Sequence, residues 1–326
     1  MKFASLKNGR RDGRLVVVSR DLTRAVDAGP IAATLQDAIE RWAECEGPLR
    51  VLAAALEDAT ADGAFPFDPA QAHAPLPRGY QWCDGSAFLN HGRLMQRAYN
   101  LPPIEDADSI PLMYQGASDD FLGPHDDLPL PDEALGIDFE GEFGVIVDAV
   151  PMGTSAADAM GHIRLVVQIN DWSLRTLAGP EMKTGFGWVQ AKPPCGMAPF
   201  AVTPDELGDD WRNGRVCLNL NVDWNDQRFG AANGEPMGHG FHELVAHAAR
   251  TRDLVAGTVI GSGTVSNTNF REIGSSCIAE RRGIEVIDEG AARTEFMRFG
   301  DSVRMEAVDS TGRAPFGAIA QVVVRG

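Results

Sequence analysis

The stretch Ile137-Asp138-Phe139-Glu140-Gly141-Glu142-Phe143-Gly144-Val145-Ile146-Val147 reads as a β-strand loaded with acids. Successive strand side chains point to opposite faces. Asp138, Glu140 and Glu142 therefore share one face, and Ile137, Phe139, Phe143, Val145 and Val147 share the other. Three neighbouring carboxylates repel one another. On a solvated face the cost is small, but on a covered face the charges need a cation or protons to be tolerated. Two readings stay open. One is an edge strand with a wet acidic face, since acids are mostly exposed. The other is half of a site for a hard divalent cation, which takes several oxygen ligands and tolerates paired carboxylates.

Outward from this stretch, β-branched runs recur at 143–150, 165–169, 216–222, 255–260, 284–287 and 320–324, separated by turn clusters. The clearest helix here is 240–251, where Phe241, Leu244, Val245 and Ala248 fall on one face. Regular strand–helix alternation is missing, and so is any fixed repeat. This predicts a mainly β, α+β architecture over a doubly wound one. Toward the amino terminus, Asn8-Gly9 and Asp12-Gly13 supply turns between short strands over 1–27. Residues 34–59 follow with Leu35, Ile39, Trp42, Leu49, Leu52 and Leu56 at helical spacing, and Gly47-Pro48 is expected to split them into two helices. The aperiodic Pro-, Ala- and Gly-rich segment 62–77 reads as a boundary. The expected division is a small amino-terminal domain over 1–76 and a larger domain over 77–326.

Composition narrows the function. The chain has 326 residues with a formal net charge of −17, which argues against nucleic acid or an anionic membrane as partner, because both demand basic patches. The first twenty residues contain basic side chains but no apolar run beyond 15–18. Neither a secretory leader nor a membrane span is predicted, and the expected location is the cytoplasm. Five widely spaced cysteines (Cys45, Cys83, Cys195, Cys217 and Cys277) include no Cys-x-x-Cys pair, so packed thiols are expected, without a disulfide framework or zinc cage.

Several motifs fail on geometry. His242-Glu243 with His247 puts the histidines five apart, off a common helical face, unlike a zinc-protease helix. Gly261-Ser262-Gly263-Thr264 lacks the Gly-Lys-Ser/Thr of a phosphate loop, and no Gly-x-Ser-x-Gly elbow occurs. Cys277, before Ile278-Ala279, reads as a packed thiol. What remains is Asp84 with His91 seven residues on, Asn170-Asp171 at the end of an apolar run, and Lys192 before Pro193-Pro194. Each alone has an ordinary reading as a polar partner, a turn or a solvated lysine.

As an ordered set these segments resemble the fumarylacetoacetate hydrolase family. Asp-x6-His, Glu-x-Glu, Asn-Asp-Trp-Ser-x-Arg, Lys and Gly-Ser-Gly-Thr-Val-Ser-Asn follow one another in the family's order between about residues 78 and 323. The resemblance implies a mixed β-sandwich roll for the catalytic domain, a small SH3-like amino-terminal domain and a homodimer. It also implies a divalent cation, Mg²⁺ first with Ca²⁺ or Mn²⁺ admissible, held by Asp84, Glu140, Glu142 and Asp171. Such an all-oxygen set suits a hard cation. Asp138 is then left as a neighbour of the ligands or a solvent-facing acid.

The implied reaction is hydrolysis of a carbon–carbon bond in a β-diketo acid of fumarylacetoacetate or acylpyruvate type. His91 would act as general base on water, oriented by Glu280. Lys192 would stabilise oxyanion charge, and Arg175, Tyr114 and Thr264 would contact a small keto-acid substrate. Two positions depart from the family pattern, Gly196 where a threonine is expected and Ala178 where a glutamine is common. Decarboxylation of a β-keto acid, a dienoate isomerase or hydratase reaction on the same fold, and a binding protein with a drifted pocket are the alternatives.

Overall fold

The computed structural model describes residues 1–326. Its centre is an eleven-stranded sheet. In spatial order the strands are Phe65–Pro66, Arg24–Asp27, Arg14–Val18, Lys2–Leu6, Ala201–Val202, Ile163–Asn170, Gly141–Val147, Thr258–Gly261, Trp82–Gly85 and Met113–Gly116, with Gly196–Met197 added to Ile163–Asn170. All neighbours are antiparallel except Thr258–Gly261 and Trp82–Gly85. Strand alternation sends Val16, Val18, Val145, Val147 and Val166 into one apolar core and Leu15, Val17, Ile146, Leu165 and Val167 into another. Both faces of the sheet are therefore buried.

The first core is closed by a five-stranded sheet of Gln227–Asn233, Asn219–Trp224, Ser302–Val308, Ala318–Arg325 and Leu128–Leu130, which contributes Leu220, Val222, Met305, Ile319 and Val323. The second is closed by helices Leu35–Glu40 and Trp42–Glu57, through Leu35, Ile39, Trp42, Leu49 and Leu56. The result is α+β and mainly β, a sheet-on-sheet sandwich with helices behind it. No helix is long and apolar enough to cross a membrane, and all five cysteines are buried and free.

Three local expectations change. The strand read over 137–147 is two pieces, Ile137–Asp138 paired with Ser173–Leu174, and Gly141–Val147 inside the central sheet. It is no edge strand with a wet face, because Asp138, Glu140 and Glu142 are all buried. The helix over 42–57 runs through Pro48 and breaks instead at Arg41. Burying Trp42, Cys45, Leu49 and Leu56 on one face outweighs the roughly 3 kcal/mol cost of an interior proline. The run 284–287 is helical, part of Ile278–Glu289, since so short an apolar run fits either period. The segment 62–77, read as a boundary, packs against the amino-terminal strands. His73 N donates to Ser5 O at 2.8 Å and Lys7 N to Gln71 O at 2.8 Å, which lays it along the first strand. That strand in turn pairs Lys2 with Val202 and Phe3 with Ala201, so the amino-terminal strands continue the central sheet.

Candidate active site

The site grows from the ends of adjacent strands. Asp84 shares strand parity with Trp82, Glu142 with Ile146, and Asp171 lies two residues beyond Ile169. Trp82, Ile146 and Ile169 belong to the helix-covered core, so the three acids emerge on that face. Glu142 pairs in register with Ile169, while Asp84 pairs with Gly261, which pairs with Gly144 on its other side. A Cβ on Gly261 would sit 2.3 Å from Asp84 Oδ1 and 2.2 Å from the Trp82 ring. Glycine there opens the space in which Asp84 and Glu142 meet across an intervening strand.

Carboxylate oxygens of Asp84, Glu142 and Asp171 lie within 4.8 Å of one another, and the residues are 4%, 0% and 0% exposed. Their partners are unequal. Asp84 Oδ1 accepts from Gly263 N at 3.0 Å. Asp171 accepts from Tyr114 Oη at 2.8 Å, from the Cys195 thiol at 2.9 Å and from Lys192. Both oxygens of Glu142 are buried with no hydrogen-bond partner. Burial, and then the charge of Asp171, push Asp84 well above the usual carboxylate range; burial and the charge of Asp84 do the same to Glu142. Buried, mutually repelling oxygens with open lone pairs are the donor chemistry that suits a hard divalent cation.

Glu140 stands beside this triad without converging on it. Its Oε1 accepts from Arg175 Nη2 at 2.7 Å and Thr264 Oγ1 at 2.9 Å, and its Oε2 from Lys192 Nζ at 2.6 Å and Ser173 Oγ at 3.0 Å. Against the penalty of burial, the charges of Arg175 and Lys192 hold Glu140 well below the usual range. The expected four-acid cage is thus a triad plus a neighbour, joined through the ammonium of Lys192. Glu140 also comes within 4.8 Å of His91 and Cys277, as judged by their ligand atoms.

His91, on helix Leu89–Tyr99, has Nδ1 2.9 Å from Glu280 Oε2, and Glu280 is fully buried near the start of helix Ile278–Glu289. Asp138 sets that helix. Its carboxylate accepts from Ile278 N at 2.7 Å and Ala279 N at 2.9 Å, satisfying amide donors of the first turn. Asp138 also accepts from Arg175 Nε at 2.7 Å. Arg175, expected to meet a substrate carboxylate, directs its fork to Asp138 and Glu140 in this structure. Thr264, expected to line the pocket, donates to Glu140.

Several contributors were invisible in the sequence. Gln321 Oε1 accepts from Trp172 Nε1 at 3.0 Å and Asn170 Nδ2 at 3.3 Å, fixing the residues that flank Asp171. The Gly196 departure follows from this, since a Cβ at that position would lie 2.4 Å from Gln321 Oε1. Trp188 meets Tyr114 edge-on at 4.7 Å, and Lys192 Nζ lies 5.3 Å from both rings. Only contacts between distant segments reveal these roles. His242 and His247 both lie on helix Phe241–Ala248, outside the carboxylate clusters.

Fold and site together define an α+β protein with a buried carboxylate cluster beside a histidine–glutamate pair. Residues 81–324 match the fumarylacetoacetate (FAA) hydrolase C-terminal family, and residues 1–78 match the fumarylacetoacetase N-terminal domain 2 family. The chain belongs to the fumarylacetoacetate hydrolase family. It is 28% identical over 169 residues to 2,4-didehydro-3-deoxy-L-rhamnonate hydrolase of Sphingomonas sp. (strain SKA58), covering 51% of this chain and 55% of that one. It is 24% identical over 190 residues to the mitochondrial oxaloacetate tautomerase FAHD2A of Homo sapiens, covering 56% and 54%. The chain spans about half the length of these curated relatives. Maleylpyruvate hydrolase from Sphingobium sp. SYK-6, solved with manganese(II) and pyruvate, superposes with a TM-score of 0.64 at 18% identity over 100% of both chains, a likeness of fold.

Proposed function

We propose that the protein is a metal-dependent hydrolase that cleaves a carbon–carbon bond in a β-diketo acid of acylpyruvate or fumarylacetoacetate type. The observation that carries this reading is the His91–Glu280 pair at 2.9 Å, set against Glu140 and the buried triad. Asp84, Glu142 and Asp171 would hold a hard divalent cation, Mg²⁺ first, with Glu140 adjoining them across Lys192. The cation would polarise the dicarbonyl oxygens as a Lewis acid. The manganese in the maleylpyruvate hydrolase structure supports a divalent ion in this family's fold.

The protein's own groups handle the protons. Nδ1–H of His91 donates to Glu280, which leaves Nε2 free to take a proton from water. The hydroxide adds to the acyl carbonyl, and collapse of the adduct expels the keto-acid methylene carbon with the bonding electron pair. That carbon takes up a proton, so water is consumed and one carboxylic acid and one 2-keto acid are released. The Lys192 ammonium supplies positive charge next to the reacting oxygens.

Release of pyruvate from acylpyruvates, with Mg²⁺ and with chelator, tests the reading. Glu280→Gln should lower kcat by about 10²-fold or more, the usual worth of an oriented general base. Unchanged turnover in that variant would contradict it. The tautomerase relative favours a second reading, proton transfer on a keto acid without cleavage. Solvent deuterium entering recovered, uncleaved substrate would mark that reaction, and two cleavage products would reject it.

A further inference from the structure

His91 and Glu280 are 189 positions apart in sequence and reach each other from two helices, Leu89–Tyr99 and Ile278–Glu289. Nothing else holds the Glu280 carboxylate. Its Oε2 meets His91 Nδ1, and its Oε1 is buried without a hydrogen-bond partner. The 2.9 Å contact therefore depends on how far apart the two helices lie.

The His91 helix is lightly anchored. Phe88, where it starts, supplies no side-chain cap, and within the helix Leu94 alone is buried, outside both apolar cores. Asn90 Nδ2 ties the first turn to Ser266 Oγ at 2.8 Å and Asn267 O at 2.9 Å. Past that turn the helix rests chiefly on the Glu280 helix.

Helical spacing builds the seam between them. His91, Leu94, Met95 and Ala98 recur at i, i+3, i+4 and i+7 along one stripe, and Glu280 and Gly283 are i, i+3 neighbours. Gly283 is buried where the stripes meet. A Cβ there would lie 2.9 Å from Leu94 Cδ2 and 3.4 Å from both Ala98 Cβ and Met95 Sδ. Its backbone is not left-handed, so the local geometry does not ask for glycine, and glycine weakens a helix interior relative to alanine. What the position requires is the close approach of the other helix.

We propose that Gly283 is a positioning residue for the His91–Glu280 pair. By carrying no side chain it lets the two helices touch, one turn from the pair, and that closeness keeps His91 Nδ1 within hydrogen-bond reach of Glu280. The effect on the hydrogen bond follows from the helix seam; the effect on turnover rests on the hydrolase reading above.

Graded side chains at position 283 test it. A Cβ at 2.9 Å falls about 0.5 Å or more short of van der Waals contact, and a branched side chain asks for about 1 Å. A misplacement of about 1 Å costs about 10²-fold. With Mg²⁺ and an acylpyruvate, kcat should fall about tenfold in Gly283→Ala and about 10²-fold in Gly283→Val, with KM within about twofold. The Tm of Gly283→Ala should stay within about 2 °C of the wild type, because the helical preference of alanine offsets the tighter seam. Leu94→Ala added to Gly283→Val makes room for the new side chain and should restore most of kcat. Imidazole ¹⁵N spectra follow the pair without turnover, with His91→Ala assigning its signal among the seven histidines. His91 should be protonated at Nδ1 in the wild type and lose that preference in Gly283→Val. Wild-type kcat, or an unchanged His91 signal, in Gly283→Val overturns the inference, as does a kcat that Leu94→Ala leaves unrestored. If Gly283→Val does not fold, Gly283→Ala decides by the same two readings. If the wild type cleaves no acylpyruvate, the hydrolase reading fails on its own, and the His91 signal still decides the role of Gly283.

Discussion

Replacing Glu142 with glutamine removes one charge from a triad of buried carboxylates, and the geometry sets the scale of the effect. With ligand atoms within 4.8 Å of one another, each ionised pair repels by about 3.5 kcal/mol at an effective dielectric of about 20. Glu142 faces two such neighbours, so its own share of the repulsion is about 7 kcal/mol when all three are ionised. Burial and the neighbouring charges push Asp84 and Glu142 upward, which favours their protonated forms and relieves that repulsion. In chelator, Glu142→Gln should therefore be at least as stable as the wild type, because an amide can donate to the remaining acids. The metal response should move the other way. Mg²⁺ at a hundred times its Kd stabilises the folded state by about 2.7 kcal/mol, which for 326 residues is a Tm rise of about 4 °C. The variant should lose most of that rise. Thermal unfolding with chelator and with millimolar Mg²⁺ reads both effects. An equal Mg²⁺ response in wild type and variant, or a variant several degrees less stable in chelator, would refute the reasoning.

Other perturbations have equally definite outcomes. Gly196→Ala drives a Cβ to 2.4 Å from Gln321 and should cost about 1–3 kcal/mol in urea unfolding, with part recovered in the double variant with Gln321→Ala. Asp138→Asn leaves Arg175 short of a buried partner and weakens the start of the Glu280 helix, so a loss of about 3–5 kcal/mol is expected in the same assay. Lys2 is pushed down to about 8 by burial, from 10.5. Between those pH values the unfolded chain binds more protons than the folded one, so stability should rise with pH. The Lys2 contribution to that rise is about 3 kcal/mol. Urea midpoints at pH 7.5 and 9.5 should show this slope in the wild type and a flatter one in Lys2→Met.

The acids, the histidine and their order were legible because strand parity and short spacings are local properties. Parity alone, however, grouped Asp138, Glu140 and Glu142 on one face, and the chain breaks that strand at Phe139-Glu140. The three acids accordingly serve three ends: Asp138 caps a helix, Glu140 gathers Arg175 and Lys192, and Glu142 joins Asp84 and Asp171. Glycine at 261 looked like a failed phosphate loop, whereas its use is the space it leaves between strands. Gln321 carried no signal at all, since it acts on Asn170 and Trp172 from about 150 positions away, and the Trp188 pairing with Tyr114 spans more than seventy.

Incorporation of ¹⁸O from labelled water is the most direct measure of the proposed chemistry. Wild-type protein with Mg²⁺ and an acylpyruvate should place one labelled oxygen in the released carboxylic acid, and His91→Ala should slow that incorporation by about 10²–10⁴-fold while leaving the Mg²⁺-dependent rise in Tm in place. Labelled acid formed at the wild-type rate by His91→Ala, or no labelled acid from the wild type on any acylpyruvate, would contradict it.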